Sequence, residues 1–463
     1  MFTKKVYVER RRKLRDLLGS GVAVFLGNEE SPMNYVANPY HFRQDSTFLY
    51  FFGLDLPGFA GWIDADSGEE AVFGNDVTID DIVWMGPQPS VRALAGKAGV
   101  SRTGDVAELA RRVEAALSAG RRLHFLPPYR TANAHRLQGL TGIAMDRLAT
   151  HASTDLIRAV VALRSIKSDG EIGEIEKALE ISSDMYERAL KTIKPGRYER
   201  EIVGAMKGIC EARGTHFAFP VILTVRGETL HNHHHGNRMK AGDLLVIDSG
   251  AESDLRYASD ITRTFPVSGR FDPRQREIYD LVLASQLTAI RAIRPGVKYR
   301  DVHMRVARVL AQGLKDIGLM KGDIGEAVKA GAHALFFPHG LGHMMGLDVH
   351  DMEDLGENFV GYEDTSRRSD QFGLAYLRLA RKLEPGFVLT VEPGLYFIPA
   401  LIDLWKSEKK FTAFIDYARV ETYKGFGGIR IEDDVLVTDK GCRVLGRPIP
   451  KTAEEIQEIM AGA

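Results

Sequence analysis

Residues 240–250, KAGDLLVIDSG, and residues 384–394, EPGFVLTVEPG, decide how this chain folds. Each opens on a glycine-containing turn, runs through a short apolar strand, and delivers a carboxylate at the same offset: Asp248 in the first copy, Glu392 in the second. A second pair of segments repeats in the same order. In TIKPGRYEREI, from Thr192, and AIRPGVKYRDV, from Ala292, a helix ends in a Pro-Gly turn and an acidic helix start follows. Helix turns of that kind are common, so this echo alone decides little. Joined to the strand-to-carboxylate echo, it predicts an α/β (α+β) unit of two similar halves related by a pseudo-twofold axis. Each half would bring one ligand-bearing strand to a shared centre.

Three more chemically active side chains lie in short motifs of the same half: Asp260 in SDITRTFPVSG, His343 in PHGLGHMMGLDVHD (338–351) and Glu432 in GIRIEDDV (428–435). Taken one at a time, Asp248 and Asp260 read as strand-end caps, and Glu432, followed by Asp433 and Asp434, as an acidic turn. As an ordered set with His343 and Glu392 they read as metal ligands, with Asp433 and Asp434 supporting or capping. Four carboxylates gathered within a few Å cannot all stay ionised unless something compensates them. Two divalent cations contribute the four positive charges required. Oxygen donors with one imidazole suit Mn²⁺, Fe²⁺, Co²⁺ or Zn²⁺ and disfavour Cu(I) or an iron–sulfur cluster; Mn²⁺ is the expected metal. Gly340, Gly342 and Gly346, set among His339, His343 and His350, mark a loop whose backbone must approach something closely.

From about Asp155 to the C-terminus these motifs, with TLHNH (229–233) before them, resemble the pita-bread metallopeptidases, and among them the aminopeptidase P and prolidase branch. The segment YHFRQDSTFLYFFGLDLPG (40–58) is similar to the aminopeptidase P N-terminal domain, so the likeness covers nearly the whole chain. It implies two domains, residues 1–155 and a catalytic domain over 156–463. It implies Asp248, Asp260, His343, Glu392 and Glu432 as ligands of two metal ions, with His339, His350 and Glu392 in proton handling. His231, His350 and Arg378 would meet the substrate, and Arg430 would orient ligand carboxylates from behind. The activity implied is hydrolysis of Xaa-Pro bonds by a water activated between the two ions. Proline-containing peptides would be the substrates, and a homodimer or homotetramer is expected.

Two departures bear on substrate length. The spacing from Asp248 to Asp260 is one residue longer than the usual pattern, which suggests a small bulge or a longer hairpin between the ligand strands. The run from Ala400 to Gly428 is longer than in compact aminopeptidase P enzymes and is similar to prolidases, restricted to dipeptides. Arg378 also matches a prolidase arginine that meets the substrate carboxylate, whereas the N-terminal FRQDSTFLYFFG signature favours the aminopeptidase. Read alone, Arg378 is a helix-surface arginine. Metal-free relatives of this fold serve as binding modules or run metal-free chemistry, as creatinase does, and retention of all five ligands argues against both. Methionine aminopeptidase shares the catalytic fold but not the large N-terminal domain.

With 61 basic and 62 acidic residues among 463, the chain has no global attraction for nucleic acid or anionic membranes. Its length suits two domains. Cys210 and Cys442 are too few for a disulfide framework, no apolar run approaches the roughly 18 residues of a membrane span, and MFTKKVYVERRRKLRDLL lacks a signal-peptide core. A cytoplasmic enzyme is therefore expected, with that first segment as a surface helix. In residues 1 to about 150, helix-like VERRRKLRDLL and GDVAELARRVEAAL alternate with strand-like GVAVFLG, TFLYFFGL, EEAVFG and RLHFLP. Handover falls near 155, after a Ser153-Thr154-Asp155 capping signal. His233, His234 and His235 read as surface residues.

Overall fold

The computed structural model describes residues 1–363 and 367–462. Backbone contacts group the chain into two compact units, Met1–Arg164 with Met352–Phe359, and Ser165–Asp351 with Val360–Ala463. The expected handover near residue 155 lies at the N-terminal end of the helix Thr154–Ser165, with which the first unit closes.

The first unit is built on a mixed sheet. Its strands are β1 (Val22–Leu26), β2 (Ala60–Asp64), β3 (Glu70–Phe73), β4 (Arg102–Gly104) and β5 (Leu123–His124), ordered β4-β3-β2-β1-β5. The amphipathic helix Val106–Ser118 lays Leu109, Val113 and Ala116 on Val22, Val24, Trp62 and Phe73 of this sheet. The stretch TFLYFF, expected as a strand, is a buried helix, Ser46–Phe52. A continuous apolar run has no period to choose between the two states, and the ends decide. Asp45 accepts the Phe48 N–H at 2.7 Å, and Gly53 takes the left-handed conformation that closes the last turn. The opening helix, Lys4–Leu18, is not simply a surface helix either. Arg11 is fully buried and donates to Glu70, to Phe51 O and to Ala98 O, so a basic residue lies in the core because its guanidinium finds a partner for each nitrogen.

In the second unit the sequence echo becomes geometry. Helices Asp169–Thr192 and Glu199–Ala212 precede β6 (Ile222–Thr224), β7 (Leu244–Ser249) and β8 (Ile261–Pro266), which form an antiparallel sheet in that order. Helices Pro273–Ala292 and Tyr299–Asp316 precede β9 (Val388–Val391), β10 (Gly394–Tyr396), β11 (Gly428–Arg430), β12 (Asp433–Val437) and β13 (Cys442–Val444). Strand β12 lies between β13 and β9, and β10 pairs with β11. Each Pro-Gly turn hooks onto the segment leading into a ligand strand: Gly196 N–H donates to Met239 O and Gly296 N–H to Leu383 O, both at 2.8 Å. Both glycines, and the turn glycines Gly242 and Gly386 that follow, have φ between 80° and 92°, a region open to glycine and strained for other residues. Strands β7, β8 and β9 are buried at every position; β7 and β9 are largely runs of apolar residues without alternation, whereas β8 buries Thr262, Arg263 and Thr264 by hydrogen-bonding each side chain.

Candidate active site

Four strands carry the acidic side chains to one place. Asp248 sits near the end of β7, Asp260 immediately precedes β8, Glu392 directly follows β9, and Glu432 lies between β11 and β12. The antiparallel register runs unbroken from Leu244 opposite Pro266, through Asp248 opposite Thr262, to the Glu252–Ala258 bridge, so the extra residue between Asp248 and Asp260 lengthens the hairpin and forms no bulge. His343 reaches the same point from the glycine-rich loop, which is latched to β9: His343 N–H donates to Thr390 Oγ1 at 3.1 Å, and Thr390 N–H to His343 O at 3.0 Å. These side chains, with His231, His339, His350, Arg378 and Arg430, line a cavity of about 350 Å³. Every residue nominated from the sequence is therefore at this cavity. Arg378 lies in an irregular segment after a short 3₁₀ turn rather than on a helix surface. His233 is exposed, as expected, and also lines the cavity wall, whereas His234 and His235 do not line it.

The donor set fits a metal centre. Donor atoms of Asp260, His343 and Glu432 all lie within 4.8 Å of one another, and all three residues are buried. His343 Nδ1 lies 3.0 Å from Met344 O and so carries the ring hydrogen. Its Nε2 lone pair points at Asp260 Oδ2, 3.4 Å away, and at Glu392 Oε1, 3.5 Å away, the tautomer a metal requires. Asp248 Oδ1, Asp260 Oδ1 and Glu432 Oε1 are buried without a hydrogen-bond partner, which is costly for a carboxylate unless a cation takes the lone pairs. Burial and then the surrounding carboxylates push the proton affinities of Asp260 and Glu432 well above the usual carboxylate range. Glu392 is raised by burial too, although His343 and Arg430 oppose the shift.

Behind the carboxylates Arg430 donates from all three nitrogens: Nη2 to Asp248 Oδ2 at 2.6 Å, Nη1 to Tyr396 Oη at 2.8 Å, and Nε to Thr262 Oγ1 at 3.1 Å. Thr262 in turn donates to Glu432 Oε2 at 2.7 Å. His339 places Nδ1 2.7 Å from Gly340 O and Nε2 2.9 Å from Tyr396 Oη. Tyr396 already accepts from Arg430, so its hydroxyl hydrogen goes to His339 Nε2, and His339 holds its own hydrogen on Nδ1. Burial, then Arg430, hold His339 neutral, with its pKa pulled down to about 3.

Residues 173–439 match Metallopeptidase family M24, a span that includes every cavity residue named above. The chain belongs to metallopeptidase family M24. Ahead of the M24 region, residues 7–124 match Aminopeptidase P, N-terminal domain. Among M24 relatives, the Xaa-Pro dipeptidase of Homo sapiens is 33% identical over 465 residues, covering 98% of this chain and 91% of that protein. The Xaa-Pro aminopeptidase of Escherichia coli is 32% identical over 474 residues, covering 100% and 98%. A zinc-substituted structure of E. coli aminopeptidase P in complex with product superposes with a TM-score of 0.81 at 29% identity, covering 100% and 99% of the two chains. The M24 site also contains three residues that the sequence reading did not nominate: Thr262, Thr390 and Tyr396. A signal for two of them was present. Thr262 is two residues from Asp260, and Thr390 two from Glu392, so each shares a strand face with a ligand.

Proposed function

We propose that this M24 metallopeptidase releases the N-terminal residue from peptides with proline in the second position. The observation that carries the reading is the cavity itself, where a buried, uncompensated carboxylate–imidazole cluster lies beside His231, His339, His350 and Arg378. Asp248, Asp260, His343, Glu392 and Glu432 would hold two divalent ions, Mn²⁺ by preference. When bound, these supply Lewis acidity for the scissile carbonyl and an acidified water.

The remaining work falls to the chain. Glu392 has its two oxygens next to different partners, Oε1 3.4 Å from the Thr390 hydroxyl and Oε2 3.8 Å from His339 Nδ1. It is the group placed to take a proton from water and pass it toward the leaving nitrogen. Desolvation at the cavity, then Arg430, lower the His231 pKa below its ordinary range, which favours the neutral imidazole with one N–H to donate. With His350 it binds the peptide carbonyl as negative charge develops there, a contribution of roughly 3 kcal/mol per well-placed donor. Phe219, Pro220, Ile222, Leu230 and Val349 give the same cavity an apolar wall, against which a pyrrolidine ring can be buried. The proline nitrogen has no N–H, so recognition has to rely on such shape rather than on a donor.

A second reading is a prolidase restricted to Xaa-Pro dipeptides. Arg378 on the cavity wall favours it, because a guanidinium there suits the free carboxylate of a dipeptide. Incubation with Mn²⁺ and either Ala-Pro or a longer peptide beginning Ala-Pro, read by product analysis, separates the two. Cleavage of the longer peptide establishes the aminopeptidase, cleavage of the dipeptide alone the prolidase, and cleavage of neither removes both. Where both peptides are cleaved and Arg378 clamps the dipeptide carboxylate, Arg378→Ala raises KM for Ala-Pro far more than for the longer peptide.

No described helix is long and apolar enough to cross a membrane. Both cysteines are free, which supports residence in the reducing cytoplasm. Association into a homodimer or homotetramer is supported by the helix Ile79–Met85 of the first unit, which buries none of its residues and leaves Trp84 86% exposed.

A further inference from the structure

Lys167 Nζ lies 2.9 Å from Asp351 Oδ2, with each side chain only 1% exposed. Nothing in the chemistry above uses this ion pair. Two charges withdrawn from water lose more in hydration than their attraction commonly returns, and an apolar pair of similar volume would hold a core as well. What distinguishes the ionic pair is direction, since an ammonium fixes where a carboxylate ends.

That carboxylate ends the glycine-rich loop. The outgoing limb is latched to β9 through His343 and through Met345 N–H, which donates to Val388 O at 3.0 Å. The returning limb closes on Asp351, whose N–H donates to Met344 O at 2.9 Å and whose Oδ1 takes the Asp348 N–H at 3.4 Å. Lys167 is itself fixed, its own N–H donating to Gly386 O at 2.8 Å in the turn before β9. Between the limbs, Gly346 has no space for a side chain. A Cβ there would meet Asp351 Oδ2 at 2.7 Å and Lys167 Cε at 3.0 Å, so the ion pair fills the space beneath the turn. His350, the residue before Asp351, packs its ring edge-on against His343 with centroids 4.2 Å apart.

We propose that Lys167 and Asp351 are a positioning pair that sets the His350 imidazole in the cavity, separately from the β9 contacts that set His343. The inference rests on the substrate-facing role given to His350 above. Hydrogen-bond donation to a developing charge tolerates displacement of only about 0.5 Å, and an apolar filler would pack the loop without fixing its end.

The test uses the full-length, Mn²⁺-loaded protein and compares Lys167→Met, the paired Lys167→Met/Asp351→Leu, and His350→Ala. Melting temperature, bound Mn²⁺, kcat and KM on a peptide beginning Ala-Pro are the readouts. Lys167→Met removes the ammonium from a buried carboxylate and melts lower. The paired change is expected to restore melting temperature and Mn²⁺ content while kcat stays about 10- to 100-fold down. Added to His350→Ala, it is expected to lower kcat no further, because both changes act through one imidazole. A paired variant with unchanged kcat, or with its full loss repeated on top of His350→Ala, overturns the positioning role alone. His350→Ala with unchanged kcat overturns the role of His350, and the pair falls with it. If the paired variant does not fold, Asp351→Asn decides: it too is expected to melt lower, kcat lowered at unchanged Mn²⁺ content supports the pair, and kcat that is unchanged or falls only in proportion to lost Mn²⁺ overturns it.

Discussion

Glu432 and Asp433 are consecutive, both buried, and opposite in character. Asp433 meets Arg263 Nη2 at 2.7 Å, Gln286 Nε2 at 2.9 Å and Lys451 Nζ at 2.5 Å. Burial alone would raise its proton affinity, but Arg263 and Lys451 outweigh burial and hold it below the usual carboxylate range. Glu432 faces the other way, toward Asp260, Glu392 and Asp248, and is driven well above that range by burial and then by those neighbours. One side of the chain at this point is a finished ion network; the other is a charge deficit. The character of a carboxylate here follows the cations that the fold supplies: two around Asp433, and the single guanidinium of Arg430 among the carboxylates that face Glu432.

The largest effects should come from the unfinished side. Glu432→Gln and His343→Ala are each expected to lower kcat/KM by on the order of 10³-fold, as loss of a preorganised electrostatic group does, while circular dichroism shows the fold retained. Wild-type activity in a metal-assayed sample of either would remove that residue from the site. Mn²⁺ at about 100 times its Kd should stabilise the parent protein by about 2.7 kcal/mol, and Glu432→Gln should shrink that gain. Because ions displace protons from carboxyl groups, the gain should grow as pH rises.

On the finished side, Arg263→Met should cost about 3–5 kcal/mol, since Asp433 loses a partner while still buried. Arg263 also donates to Pro450 O, Ile449 O, Thr262 O and Glu432 O, so the C-terminal segment should loosen as well. An unfolding midpoint in urea no different from the parent's would mean that the network is not what stabilises this strand. Tyr396→Phe probes the link between the two sides. It removes the hydroxyl between His339 and Arg430, and the expected loss is about 10- to 100-fold in kcat with metal content unchanged.

Two further buried groups extend the comparison to the opposite sign of charge. His303 and His333 have no hydrogen-bond partner on either ring nitrogen, and burial, with each other's proximity adding at His303, lowers their pKa values to about 3 and about 4. Both are neutral in the folded chain, whereas the unfolded chain protonates them below its ordinary imidazole pKa of about 6.5. Stability from this source is therefore complete above that value and is lost as pH falls from about 6.5 toward 4, at up to about 1.4 kcal/mol per pH unit for each group. His333→Leu should flatten that slope in thermal melts across the interval, and an unchanged slope would place the acid sensitivity elsewhere.

Much of this was legible in the sequence because it depends on local order. The turn–strand–carboxylate repeat placed Asp248 and Glu392 on matching strands, and the two Pro-Gly echoes marked helix pairs that hook onto those strands at Gly196 and Gly296. Local order failed where a run had no period. TFLYFF became a helix through its caps, and Arg11, charged in sequence, went into the core through partners that are 40 to 87 residues distant. Tyr396 was invisible for the same reason, its partners His339 and Arg430 being 57 and 34 residues away.

The amino-acid sequence by itself determined which side chains would form the centre, since strand offset and residue type are properties of neighbours along the chain. Only the tertiary structure decided what each of them would meet. Glu432 and Asp433 carry the same carboxylate on side chains that differ by one methylene. Their difference in character was settled by the side of the backbone on which Arg263 and Lys451 came to rest, because the electrostatic character of a buried carboxylate is set by the charges within a few Å of it.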